Sequence, residues 1–215
     1  MKLFVWDFHG VLEKGTEQAV LEISNEALKR FGYSQRFTEE DIAKLFGLKW
    51  FEYFEYLLPQ ESHERHLALQ EHCFEMSNAN PQIIIKYIKP SDHVHEVLDK
   101  IAQKHRQILI SNTTPKSLRI FLDSIQVTPY FPRENVFAVD AHQNPTKGTK
   151  KTTLEKFLKD KKFDDIITIG DSPIDIDLVS VAGGTSYLYS HPGRPFRNCN
   201  ADYKTHDLRE LLREI

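Results

Sequence analysis

The sequence predicts an α/β fold, a parallel sheet with a helical subdomain inserted after its first strand, and three observations predict it. Short apolar runs rich in β-branched and aromatic residues recur as "KLFVWD", "QILISNT", "NVFAVD", "IITIGD" and "TSYLYS", each ending in a polar cluster. From the second run onward, helical patterns separate them. Between the first and second runs lie about ninety residues of helical period, far more than one crossover needs.

Taken in order, four of the five strand candidates are nearly continuous rather than alternating, as expected of strands covered on both faces. The helical patterns are "SDHVHEVLDKIAQKH", "PKSLRIFLDSI", "KKTTLEKFLKD" and "PIDIDLVSVAG", most with a capping residue or proline in front. Strand and helix in alternation imply right-handed crossovers. The insertion reads as "TEQAVLEISNEALKRFGY", "TEEDIAKLFGL", "KWFEYFEYLL" and "SHERHLALQEHCFEMS", bounded by "EKGT" and "SNANPQ". Residues 16–82 are therefore expected to form a helical subdomain, with 1–15 and 83–215 forming the sheet unit.

The 215 residues carry 28 basic and 31 acidic side chains and a net charge of -3, which gives no bias toward nucleic acid or an anionic membrane. Cys73 and Cys199 have no metal-like or disulfide-framework spacing. The apolar start is broken by Asp7 and is too short for a signal peptide, and no segment is long enough to span a membrane. The expectation is a cytoplasmic protein, monomeric or homodimeric.

In open α/β sheets, ligands bind beyond the carboxyl ends of the strands. Those ends carry Asp7, Ser111 with Asn112, Asp140 and Asp171. Converging carboxylates repel, and hard oxygen ligands favour Mg²⁺ as the relief. "GDSPIDID" adds Asp175 one turn beyond Asp171, while Asp177 is expected to face elsewhere. In "KGTKK", Lys147, Lys150 or Lys151 could hold an anionic phosphoryl group, or could simply begin a surface helix.

This constellation resembles the haloacid dehalogenase (HAD) superfamily. Its first motif, DxDGT/V-L/V, is similar to "DFHGVL"; its second, a strand ending in Ser or Thr, to "ILISN"; its third, a lysine, to "KGTKK"; its fourth, acidic, to "GDSPID". The resemblance implies a Rossmann-like core with a C1-type cap, acting on a small phosphorylated substrate with Mg²⁺. It implies Asp7 as a nucleophile that forms an aspartyl-phosphate, and Mg²⁺ held by Asp7, the main-chain carbonyl of His9 and Asp171. Asp175 then orients the lysine or a water on the metal. Ser111 and Asn112 face the phosphoryl oxygens, and the active-site lysine is Lys150 by its distance from the following helix, with Lys147 the second choice.

One position departs from the family pattern. The residue two after the nucleophile, which handles the leaving-group proton, is His9 instead of aspartate. Histidine can exchange a proton near neutrality, so a phosphatase ranks first. A phosphonatase or phosphotransferase ranks second, and a catalytically weak binding or regulatory protein third.

Three further clusters have structural readings. Trp50, Phe51, Tyr53, Phe54 and Tyr56 are expected mostly to form the core of the helical subdomain rather than a wall facing substrate. His63, His66 and His72 do not share one helix face and are expected to be solvated. Arg194 and Arg197, in "SHPGRPFR", could contact an acidic substrate or belong to a stiff surface loop.

Overall fold

All five expected strands form in the computed structural model, which describes residues 1–45, 48–139 and 148–215. In chain order the first half holds β1 (Leu3–Trp6), β2 (Glu13–Lys14), α1 (Thr16–Arg30), α2 (Glu39–Leu45), α3 (Trp50–Leu57), α4 (His63–Ala79) and α5 (Gln82–Ile85). The second half holds β3 (Lys89–Pro90), α6 (Val94–Ala102), β4 (Arg106–Ser111), α7 (Pro115–Ser124), β5 (Val136–Ala138), α8 (Lys150–Leu158), β6 (Ile166–Gly170), α9 (Pro173–Ile176), α10 (Val179–Ala182), β7 (Thr185–Tyr189) and β8 (Tyr203–Thr205). The chain forms two compact units, one of Met1–Lys14 with Lys89–Ile215 and one of Gly15–Ile88.

The first unit is built on a six-stranded sheet in the order β5-β4-β1-β6-β7-β8, every ladder parallel. All four residues of β1 are at most 1% exposed, which explains its unbroken apolar run and stabilises the unit by about 1.5–3 kcal/mol per large side chain. One face of the sheet packs Leu3, Val5, Ile108 and Ile110 against Leu154 and Phe157 of α8. Gln107, a buried polar side chain of β4, is satisfied on both sides: it accepts from the Trp6 indole at 3.0 Å and donates to the Leu98 carbonyl at 2.9 Å.

Three elements differ from the sequence reading. β8 has no apolar run because it is a short edge strand with Tyr203 and Lys204 exposed. The ladder of β2 with β3 is only two residues long on each side, too short for a periodic signal. "PIDIDLVSVAG" forms two short helices because the ladder tightens where the Leu178 N–H donates to the Asp175 carbonyl, three residues back.

The second unit packs α1 to α4 around Ile23, Leu28, Phe37, Tyr53, Phe54 and Leu69. The Asn25 side chain holds the α1–α2 connection by accepting from the Phe37 N–H at 2.8 Å and donating to its carbonyl at 3.1 Å. Ser62 caps α4 by accepting from the Arg65 N–H at 3.2 Å. Tyr53 and Phe54 are buried core residues, Trp50 and Phe51 are half-buried, and Tyr56 is exposed. Gly15 precedes α1 at a φ of 105°, where an added Cβ would meet the Tyr87 carbonyl oxygen.

The solvated reading of the three histidines is corrected at His66, which is only 3% exposed. Its ring donates to the Leu58 carbonyl at 2.9 Å, and this bond offsets part of the penalty of burying a polar ring. Both cysteines are free thiols, and burial pushes that of Cys73 up. Among the described residues, no helix is long and apolar enough to cross a membrane.

Candidate active site

The sheet register gathers the candidate residues. Trp6 lies level with Leu109 of β4 and Ile169 of β6, so Asp7, Ser111 and Asp171 leave three adjacent strands within two residues of that line. The Asp7 N–H donates to the Ile169 carbonyl at 2.9 Å, continuing the ladder one residue past β1 and holding the aspartate at the strand end. Asp7 is 8% exposed, Asp175 2% and Lys150 4%.

Lys150 occupies the first position of α8, just after the Thr149 cap. Its ammonium bridges two carboxylates, donating at 2.6 Å to Asp7 Oδ1 and at 2.6 Å to Asp175 Oδ1. Ser172 donates to the other oxygen of Asp175. Two glycines make this packing possible. At Gly170 an added Cβ would lie 1.9 Å from that of Asp175, and at Gly10, with a φ of 75°, it would lie 2.7 Å from Asp171 Oδ2.

Burial dominates the electrostatics. It pushes Asp171 up to about 7 against the opposing pull of Arg197, with Asp175 and Asp7 adding to the rise. Asp7 is raised for the same reason, with Lys150 opposing. Burial draws the Lys150 ammonium downward, but its two carboxylates outweigh this and keep it above the ordinary lysine range. One carboxylate oxygen from each of Asp7, Asp171 and Asp175 lies within 4.8 Å of the others. Three hard oxygen donors, two of them held above their ordinary pKa by burial, are chemically suited to a divalent cation such as Mg²⁺.

The site includes partners whose contacts the sequence did not indicate. Arg197 Nη2 donates to Asp171 Oδ2 at 2.9 Å, so its guanidinium meets the acid of the fourth motif. Glu13, fully buried, accepts from the Gly10 N–H at 3.2 Å and stands 3.1 Å from His9 Nδ1. A glutamate directly after "GVL" was the available signal. His9 sits edge-on to Phe8 and Phe121, with ring centres 5.0 and 5.5 Å away, and its side chain is 26% exposed.

Ser111 is buried at the end of β4, and its Oγ has no hydrogen-bond partner among the described residues. Such a hydroxyl is ready to bond an incoming oxygen. Asn112 follows it, half-buried. Lys151 pairs with Asp177 at the surface, whereas Lys147 and Asp140 lie outside the described residues.

A family model described as haloacid dehalogenase-like hydrolase matches residues 4–186. No curated protein sequence matches the chain. Among solved structures, a haloacid dehalogenase-like hydrolase from Streptococcus pneumoniae superposes with a TM-score of 0.74 at 13% identity, covering 99% of this chain and 97% of that one. A subfamily IA hydrolase of the same superfamily from Geobacter sulfurreducens gives 0.68 at 18% identity, over 100% and 96%. A family hydrolase from Deinococcus radiodurans with bound phosphate and sodium gives 0.69 at 18% identity, over 97% and 92%. At these identities the likeness to the solved structures is one of fold.

Proposed function

The chain belongs to the haloacid dehalogenase-like hydrolases, and from that premise we propose that it is a phosphatase that hydrolyses a small phosphorylated metabolite through a covalent intermediate on Asp7. The observation that carries the proposal is the buried Lys150 ammonium, 2.6 Å from both Asp7 and Asp175 beside Asp171. The bound phosphate of the Deinococcus structure is consistent with it.

A carboxylate is ionised near neutrality without a separate base, and Lys150 favours the charged form of Asp7. With Oδ1 held by Lys150, Asp7 Oδ2 attacks phosphorus, forming an aspartyl-phosphate as the ester P–O bond breaks. His9, acting as an imidazolium with a proton on each ring nitrogen, gives the Nε2 proton to the departing alkoxide. It then takes one from the water that attacks the aspartyl-phosphate, which frees inorganic phosphate and restores Asp7. Ser111 Oγ donates to a phosphoryl oxygen, and in this reading Asn112 and Lys147 bind the phosphate with it. Asp7, the His9 carbonyl and Asp171 would hold Mg²⁺, with Asp175 close by and fixing Lys150. The ion would supply charge neutralisation of the phosphoryl group.

Glu13 positions His9. A buried carboxylate beside Nδ1 favours a proton on that nitrogen, turning Nε2 to the exchange with substrate. The pair does the work that an aspartate does in the family pattern. In this reading residues 16–82 form the cap that selects the substrate, and 1–15 with 83–215 form the catalytic core. The free thiols suit a reducing cytoplasm, and the chain acts as a monomer or homodimer.

The test is a screen of phosphorylated metabolites with and without Mg²⁺, run beside Asp7→Asn. Monoester hydrolysis that needs Mg²⁺ and is lost in Asp7→Asn is the expected result. Turnover that persists in that variant refutes the covalent route. Retained phosphate binding without hydrolysis of any monoester refutes the phosphatase.

A further inference from the structure

The helical unit carries a second cluster of metal-ligating side chains. Glu55 lies in the last turns of α3, and His63 and His66 lie in the first turns of α4. One ligand atom from each lies within 4.8 Å of the others. We propose that Glu55, His63 and His66 bind a divalent transition-metal ion of the Zn²⁺ class, which clamps α3 to α4.

His66 carries the argument. Its Nε2 is 2.9 Å from the Leu58 carbonyl oxygen, which can only accept, so the proton sits on Nε2. In the neutral ring Nδ1 is then a bare lone pair. Its side chain is 4% exposed, and Nδ1 has no hydrogen-bond partner among the described residues. It faces Glu55 Oε1 at 4.0 Å. A buried acceptor aimed at a carboxylate oxygen is unfavourable unless a proton or a metal ion lies between them, and the second histidine on the same oxygen favours the metal. A ring N–H bonded to a backbone carbonyl is also the arrangement that fixes the tautomer of metal-bound histidines.

The second histidine completes the set. His63 Nδ1 lies 3.0 Å from the same Glu55 oxygen, and its ring is held edge-on to Phe51 at 5.3 Å. Donor atoms around a tetrahedral zinc with bonds near 2.0–2.1 Å are about 3.4 Å apart. The observed 3.0 and 4.0 Å bracket that separation, so small rotations of the half-exposed Glu55 and exposed His63 side chains suffice. Two imidazoles and one carboxylate select a borderline ion. The strand-end cluster is all oxygen and suits Mg²⁺, so the two sites can be told apart chemically. Against the clamp stands the positive N-terminal end of α4, which the Glu55 charge offsets.

The experiment titrates the chelator-treated full chain with Zn²⁺ by calorimetry in excess Mg²⁺. Co²⁺ serves as a parallel probe, read by the visible ligand-field bands of a nitrogen-containing site. The expected result is one Zn²⁺ per chain, with binding weakened by about 10–100-fold or more in His63→Gln and in Glu55→Gln and unchanged in Asp171→Asn. Both of the weakening substitutions are at solvent-accessible side chains, so the chain still folds, as its melting curve without metal verifies. No Zn²⁺ binding, or binding that survives both substitutions, or binding lost in Asp171→Asn instead, overturns the proposal.

Discussion

The strand-end cluster of the sheet unit and the Glu55–His63–His66 cluster of the helical unit both gather titratable side chains, but in opposite settings. The first is buried: Asp7, Asp175 and Lys150 are each at most 8% exposed, and the carboxylates share one ammonium. The second is open, with the side chains of His63 and Glu55 59% and 44% exposed and only His66 buried. The difference teaches where charge is costly. In the sheet unit the carboxylates must be neutralised by a neighbour, so removing their shared cation unbalances the rest. In the helical unit water does most of that work, and a single orphaned nitrogen marks the site.

The largest expected effect concerns the buried cluster. Asp7→Asn lowers the rate of monoester hydrolysis by at least about 10⁴-fold, measured as kcat against a model aryl phosphate, and leaves the melting temperature within a few degrees. Loss of activity together with loss of folding would mean that Asp7 serves structure first.

Lys150→Met leaves Asp7 and Asp175 facing each other without their shared cation. Its expected cost is about 3–5 kcal/mol of unfolding free energy by denaturant titration. A cost below about 1 kcal/mol would break the contrast with the open cluster, where exposed ion pairs contribute that little.

His9→Asn lowers kcat by about 10²-fold or more, the usual contribution of a general acid and base. Glu13→Gln lowers it less, with KM nearly unchanged, because it loosens His9 without removing it. Equal losses in KM and kcat for Glu13→Gln would assign it to substrate binding instead.

The smallest effect sharpens the electrostatic side. Asp171 sits near 7 in the folded chain, above the ordinary 3.8, so the native state binds the extra proton. Its stabilising contribution is complete below about pH 4 and is lost as pH rises through about 7. In metal-free protein, Asp171→Asn should therefore become progressively more stabilising relative to wild type between pH 4 and 8, by about 1–3 kcal/mol. Mg²⁺ should shrink that gap by stabilising wild type. A gap independent of pH would show that Asp171 titrates as an exposed acid.

Much of the sheet unit was legible because parallel strands are covered on both faces and write themselves as continuous apolar runs, as in Leu3–Trp6 and Ile166–Gly170. β8 and the β2–β3 ladder left no such trace, since edge strands and two-residue ladders need no apolar face. The acids were legible because a strand end is a position in the sequence as well as in space. Their partners were not: Arg197 reaches Asp171 from 26 residues away, and which of the lysines turns inward depends on the start of α8.

The sequence alone determined the order of strands and helices, the inserted helical stretch, and which acids end the strands, because these follow from local periodicity and chain order. Only the tertiary structure decided that Lys150 bridges Asp7 and Asp175, that Glu13 backs His9, and that His66 turns Nδ1 toward Glu55. Those contacts depend on burial and on which side chains are left without water, and neither is set until distant segments pack.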